Sequence, residues 1–183
     1  MNYFIFQVIN GVAGHWDWID DIMEFLAQDI VWIMIAMLAI FWFTRKEQYQ
    51  RSVFYACLTA ALALVLASMV ISPGVNHPRP FITHIVNQLI PHSADASFPS
   101  DHSTIAFSFG FCVQFYHRKW GIVAISMAVL TGIARVYVGV HYPFDIAGAA
   151  ALAFVMSYSL FKMRSYLDPI PDYFIRLYNK LVS

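Results

Sequence analysis

Charge is what this sequence has least of. Only 12% of its 183 residues are Asp, Glu, Lys or Arg, against roughly 25% in an ordinary soluble protein, while 60% are hydrophobic. Eleven basic residues balance eleven acidic ones, and the basic ones fall in small groups rather than a stripe. No net field therefore exists to gather nucleic acid, which is excluded as a partner. Cysteine is equally scarce. Cys57 and Cys112 each lie inside an apolar run, without metal-like spacing, and read as small buried hydrophobes. No Lys or Arg precedes Arg45, so residues 1–14 lack the basic region of a signal peptide, and insertion is expected to rely on internal spans. There is no internal repeat and no low-complexity tract.

Long apolar runs fill the rest, and they predict one all-α, polytopic membrane helix bundle occupying 1–183. About five transmembrane helices are expected near 23–43, 53–71, 100–116, 120–137 and 143–161, because a crossing needs roughly 20 predominantly apolar residues. Residues 3–9 are too short to cross and predict a short N-terminal interfacial helix. The first span must include Asp29 to be long enough, which puts that carboxylate at a hydrated outer edge. The second carries Ala60, Ala61, Ala63 and Ala67, a composition suited to close helix contact in lipid. Residues 72–101 form a long loop containing five prolines, with a short surface helix expected within 82–90. Only His117, Arg118 and Lys119 separate the third and fourth spans, a tight helical hairpin. Pro143 suits the first turn of the fifth, and a polar tail, 162–183, follows.

With five spans, Arg45, Lys46, Arg51, Arg118, Lys119, Lys162, Arg164, Arg176 and Lys180 fall on one side. The positive-inside rule makes that side, and the tail, cytoplasmic. Arg79 and Arg135 remain on the other side, inside polar clusters, where neither looks like a topological anchor.

Three separated pieces meet on that outer side: Arg79-Pro80, then Pro99-Ser100-Asp101-His102, then Arg135 with His141 and Asp145. Arginine offers a rigid fork of donors that matches phosphate oxygens bidentately. Ser100 as a helix N-cap and Pro143 at another helix start add unpaired N–H groups and positive dipole ends. Asp145 lies four residues after His141, close enough to hold one ring nitrogen and leave the other for substrate, while His102 comes from another helix and can serve as acid, then base. His102, His141 and Asp145 could also bind a metal, but two adjacent arginines oppose a cation. His15, His77, His84, His92 and His117 read as structural or solvated. Tyr137 and Tyr142, flanking the third cluster, are candidate substrate-channel contacts.

In this order and spacing the three clusters resemble the signature motifs of the type-2 phosphatidic acid phosphatase superfamily. The run from Ile90 to His102 is similar to the bacitracin-resistance branch of undecaprenyl-diphosphate phosphatases. The resemblance implies an enzyme without metal or other cofactor, acting on an isoprenoid lipid diphosphate in a bacterial cell membrane, with its site facing the exterior. It implies that His141 becomes a phosphohistidine, Asp145 orients it, His102 protonates the leaving group, and Arg79, Ser100 and Arg135 hold the phosphate. The product would be the lipid monophosphate carrier of cell-wall synthesis. Ser72 stands where the superfamily usually has a lysine, Ala134 where it has a serine, and Asp101 where glycine is commoner, the last fitting the bacitracin branch. Two other readings stay open: a phosphatase of phosphatidylglycerol phosphate or phosphatidate, and a protein that binds or moves a lipid phosphate without hydrolysing it.

Overall fold

The computed structural model describes residues 1–182, and among them every regular element is helical. In chain order these are α1 (Asn2–Asn10), α2 (Asp17–Gln28), α3 (Ile30–Phe43), α4 (Glu47–Leu66), α5 (Ser72–Val75), α6 (Pro80–Thr83), α7 (Asp101–Tyr116), α8 (Arg118–Tyr137), α9 (Pro143–Lys162), α10 (Arg164–Leu167) and α11 (Pro169–Leu181). A π-helical turn, Ala67–Ile71, joins α4 to α5 in one helical run of 29 residues. By length and composition that run, α8 and α9 can each cross a membrane, and α2 with α3 forms a fourth candidate span bent by 48°. The all-helical, multi-pass membrane architecture read from the sequence is therefore present.

At the centre of the bundle lies α7, packed against α8, α4 and α9. Its 16 residues extend only about 24 Å at 1.5 Å per residue, less than a bilayer core. Most of it is buried among helices rather than exposed to lipid, so hydrophobic length does not constrain it. Lipid tails are as apolar as leucine, so contact between spans depends on close approach of small residues. Ala56, Ala60 and Ala63 of α4, Ala106 of α7, Ala124 and Ala128 of α8, and Ala149 and Ala153 of α9 are all buried. Trp32, Ile40, Phe43, Met69, Val70 and Val155 are exposed on the outside, as a lipid-facing surface requires.

Several boundaries differ from expectation. The first span begins earlier and breaks at Asp29, an exposed residue that ends α2 and starts α3. The second extends in both directions, because residues 47–52 and 72–75 continue its helix. The surface helix expected within 82–90 reduces to the single turn α6, and Ile90 is instead buried. The tail is not simply polar. Residues of α11 alternate apolar and charged at helical spacing, Pro171 and Ile175 are buried, and Arg51 of α4 pairs with Asp168 at 3.0 Å and Asp172 at 2.8 Å.

The two ends of the bundle are tied differently. At one end His117 stacks on Tyr49, with ring centroids 4.0 Å apart, and Arg45 donates to the Asn179 carbonyl, so the basic-rich turns and the tail share that end. At the other, buried Asn10 donates to the carbonyls of Asn87 and Tyr137, both at 2.7 Å, fastening α1 to the long loop and to the end of α8. Tyr137 donates to Asp20 at 2.7 Å, and the Tyr142 hydroxyl bonds Thr83 at 3.1 Å. Both tyrosines, read as channel contacts, hold helices together and are buried.

Two glycines govern the polar end. Gly139 has φ +84°, a left-handed conformation that ends α8 and turns the chain toward His141. Gly148 of α9 lies under Phe98, where any Cβ would overlap the ring. Its lack of a side chain lets the loop before α7 lie directly on the first turns of α9. Gly148→Ala is expected to cost about 1–3 kcal/mol through overpacking, read as a lower unfolding midpoint in detergent. An unchanged midpoint would contradict this packing.

Candidate functional site

The long loop reaches the site by a short pairing with itself. The Ser97 N–H donates to the His77 carbonyl at 2.8 Å, and Pro78 and Ala96 form an antiparallel bridge. That pairing puts Arg79 and Asp95 side by side, and Arg79 Nε donates to Asp95 Oδ1 at 2.7 Å. Arg79 Nη1 donates to the Val140 carbonyl at 3.1 Å and lies 3.1 Å from His141 Nε2 and 3.4 Å from Nδ1. The first and third clusters are thus in direct contact.

The second cluster joins them through two helix starts. Ser100 is the N-cap of α7: its Oγ accepts from the Ser103 N–H at 3.5 Å, and its own N–H donates to the Asp145 carbonyl at 3.4 Å. Asp145, in the first turn of α9, accepts the Tyr142 N–H at 2.7 Å and the Ser97 hydroxyl through the same oxygen, Oδ2. His141 Nδ1 lies 3.5 Å from that oxygen and 3.4 Å from Ser97 Oγ. Nδ1 therefore faces Ser97 and Asp145, and Nε2 faces Arg79.

Arg135 lies in the last turn of α8 with only 1% of its surface exposed, yet its Nε and Nη2 have no hydrogen-bond partner. A buried guanidinium edge without acceptors is costly unless an anion completes it. Two arginines, Arg79 and Arg135, are thus buried near one another, and the chain has no lysine between Lys46 and Lys119 to replace the one absent at position 72. His102 lies in the first turn of α7, and its side chain forms no hydrogen bond among the described residues. The charges acting on it are those of Arg135, His92 and Arg79, which places it in the same cluster. All six residues singled out from the sequence, Arg79, Ser100, His102, Arg135, His141 and Asp145, come from distant parts of the chain to this one end.

Three neighbours had been given no role in the site. Ser97 is fully buried against Asp145 and His141. Asp95 pairs with Arg79 but is largely exposed. His92, read as structural or solvated, brings its ring to 6.0 Å from that of His141. Apolar periodicity carried no signal for them because they lie in a loop held by long-range contacts. The electrostatics follow from burial. Desolvation pulls the His141 imidazole down to about 3, reinforced by both arginines and opposed by Asp145, so the ring is neutral near pH 7. Burial, then Arg79 and Arg135, lower His92. Burial alone would raise Asp95, but its bond to Arg79 carries it below the usual carboxylate value. A neutral ring nitrogen beside two fixed cations and two helix starts can bind a tetrahedral oxyanion and attack its centre.

The sequence profile of the PAP2 superfamily matches residues 52–169, which include all of these groups. The chain is 36% identical over its full length to an undecaprenyl-diphosphatase, BcrC, of Bacillus subtilis, covering 94% of that protein. It is 33% identical over 88% of its length to the bacitracin transport permease protein BcrC of Bacillus licheniformis, covering 79% of it. Among solved structures, LpxE of Aquifex aeolicus superposes with a TM-score of 0.70 over 88% of this chain and 94% of that one, at 24% identity, which is a likeness of fold.

Two outcomes follow from the geometry. Nitrogen-15 NMR of the ligand-free protein is expected to find the His141 ring still neutral at about pH 5, where an unperturbed imidazole is mostly protonated. A protonated ring there would contradict the burial described. Asp95→Asn frees Arg79 of its competitor, so affinity for inorganic phosphate should rise by up to about fivefold, the worth of a partly exposed ion pair. Unchanged or weaker affinity would contradict that competition.

Proposed function

The chain belongs to the PAP2 superfamily, and on that premise we propose that it hydrolyses the terminal phosphate of undecaprenyl diphosphate through a phosphohistidine on His141. The observation that carries this reading is the buried, unpartnered edge of Arg135, close to Arg79 and His141 and unfilled by any protein acceptor. The full-length similarity to an undecaprenyl-diphosphatase supports the choice of lipid.

In this mechanism Arg79, Arg135 and the Ser100 end of α7 hold the terminal phosphoryl oxygens. His141 Nε2 attacks the terminal phosphorus as the bond to the bridging oxygen breaks, and His102 gives that oxygen its proton. Undecaprenyl phosphate leaves. Water then attacks the phosphorus of the phosphohistidine, His102 takes the water's proton, and inorganic phosphate departs as His141 is regenerated. Arg79 Nη1 lies 3.1 Å from Nε2, so the same guanidinium that would hold the phosphate borders the attacking nitrogen. Electrostatic placement and the covalent step would each supply several kcal/mol of barrier lowering, within the range such devices reach.

The reading extends to place and purpose. Nine of the eleven basic residues lie at the end opposite the site, so the positive-inside rule turns the site to the exterior of a bacterial cell membrane. There it would return the lipid monophosphate carrier to cell-wall synthesis. A second reading, a protein that binds or moves a lipid phosphate without hydrolysing it, is kept because the Bacillus licheniformis relative is named a bacitracin transport permease protein, a transport role though not of a lipid.

Purified protein in chelator is expected to release phosphate from undecaprenyl diphosphate faster than from phosphatidylglycerol phosphate, phosphatidate or undecaprenyl phosphate. His141→Ala should lower that rate by about 10³-fold or more, the loss expected for an essential nucleophile. Release by the variant at the wild-type rate would contradict the mechanism. No release by the wild type from any of the four lipids would favour transport.

A further inference from the structure

We propose that Ser97 is a positioning residue of this site, the hydroxyl through which Asp145 orients and stabilises the His141 ring. This rests on the reading of His141 as nucleophile. The Nδ1 to Asp145 Oδ2 separation is 3.5 Å, too long for a strong direct hydrogen bond. Ser97 Oγ contacts both groups, donating to Asp145 Oδ2 and lying 3.4 Å from Nδ1. A hydroxyl has one proton and two lone pairs. With its proton committed to the carboxylate, its oxygen can only accept from the ring, so Nδ1 must carry the hydrogen and Nε2 the lone pair. That is the tautomer an attack from Nε2 requires.

The same contact acts after attack. A ring phosphorylated on Nε2 and protonated on Nδ1 is cationic, in a pocket that already holds Arg79 and Arg135. The chain from Nδ1–H to Ser97 to Asp145 brings the carboxylate's charge to bear on that cation without a proton leaving Nδ1. The fold is built to hold Ser97 here. It is fully buried, its N–H is fixed by the His77 carbonyl, and the following Phe98 is seated on Gly148, one turn along α9 from Asp145. Ser97 touches no position assigned to the phosphate. Its loss should therefore act on turnover rather than on binding.

The test compares Ser97→Ala, Ser97→Thr and His141→Ala on undecaprenyl diphosphate, with unfolding midpoints measured in the same detergent. Ser97→Ala is expected to lower kcat by about 10- to 100-fold, the scale of a misplaced reacting group, with KM within twofold of wild type. Ser97→Thr, which restores the hydroxyl, should recover a large part of the loss, separating the hydrogen bond from packing. His141→Ala should be inactive. Wild-type kcat in Ser97→Ala, a change confined to KM, or a Thr variant no faster than Ala would each overturn the role of Ser97 while leaving the nucleophile intact. Turnover by His141→Ala would overturn the reading beneath it.

Discussion

Two buried guanidinium groups at one end of a helix bundle are the constraint that the rest of this structure serves. Removing a charged group from water is costly, and the cost is offset only when hydrogen bonds and an opposite charge replace the lost hydration. Arg79 has part of that replacement in Asp95 and the Val140 carbonyl. Arg135 has two donors with none. The protein therefore holds a preformed demand for an anion, and the neutral His141 ring lies beside it. On the proposed mechanism, a phosphate would satisfy the demand and, in doing so, bring phosphorus to the ring nitrogen.

Holding that demand in place falls to the helices. With α7 short and central, its N-terminus lies at the level where α8 ends and α9 begins, so Ser100, Arg135 and Asp145 can converge. The alanine contacts of α4, α7, α8 and α9 make the approach close enough, because in lipid small residues rather than apolar burial draw helices together. Asn10, Tyr137 and Tyr142 then brace the polar end with hydrogen bonds to α1, α2 and α6. The opposite end carries an independent set of charge contacts between α4 and the terminal helices, so the two ends are secured separately.

Most of the bundle was legible in the sequence because hydrophobic runs and their basic flanks report directly on spans. The six residues that meet at the polar end were legible too, since arginine and histidine at helix ends in so apolar a chain are expensive without a use. What escaped depends on contacts between distant residues. The bend at Asp29 is one polar residue in an apolar run, and its exposure appears only once α2 and α3 are packed. Ser97 is an ordinary loop serine until the missing side chain of Gly148 admits Phe98. The terminal helix α11 could have been found: Pro169 at its first turn, then Ile170, Phe174, Leu177 and Leu181 against Asp172, Arg176 and Lys180, is an amphipathic pattern hidden by the polar average of the tail.

The account is tested most directly by quenching the enzyme during turnover of undecaprenyl diphosphate labelled in its terminal phosphate and mapping the label by mass spectrometry under conditions that preserve phosphohistidine. A single labelled phosphoryl group on His141 is the predicted result. Turnover without label on the protein, or label on another residue, would contradict it.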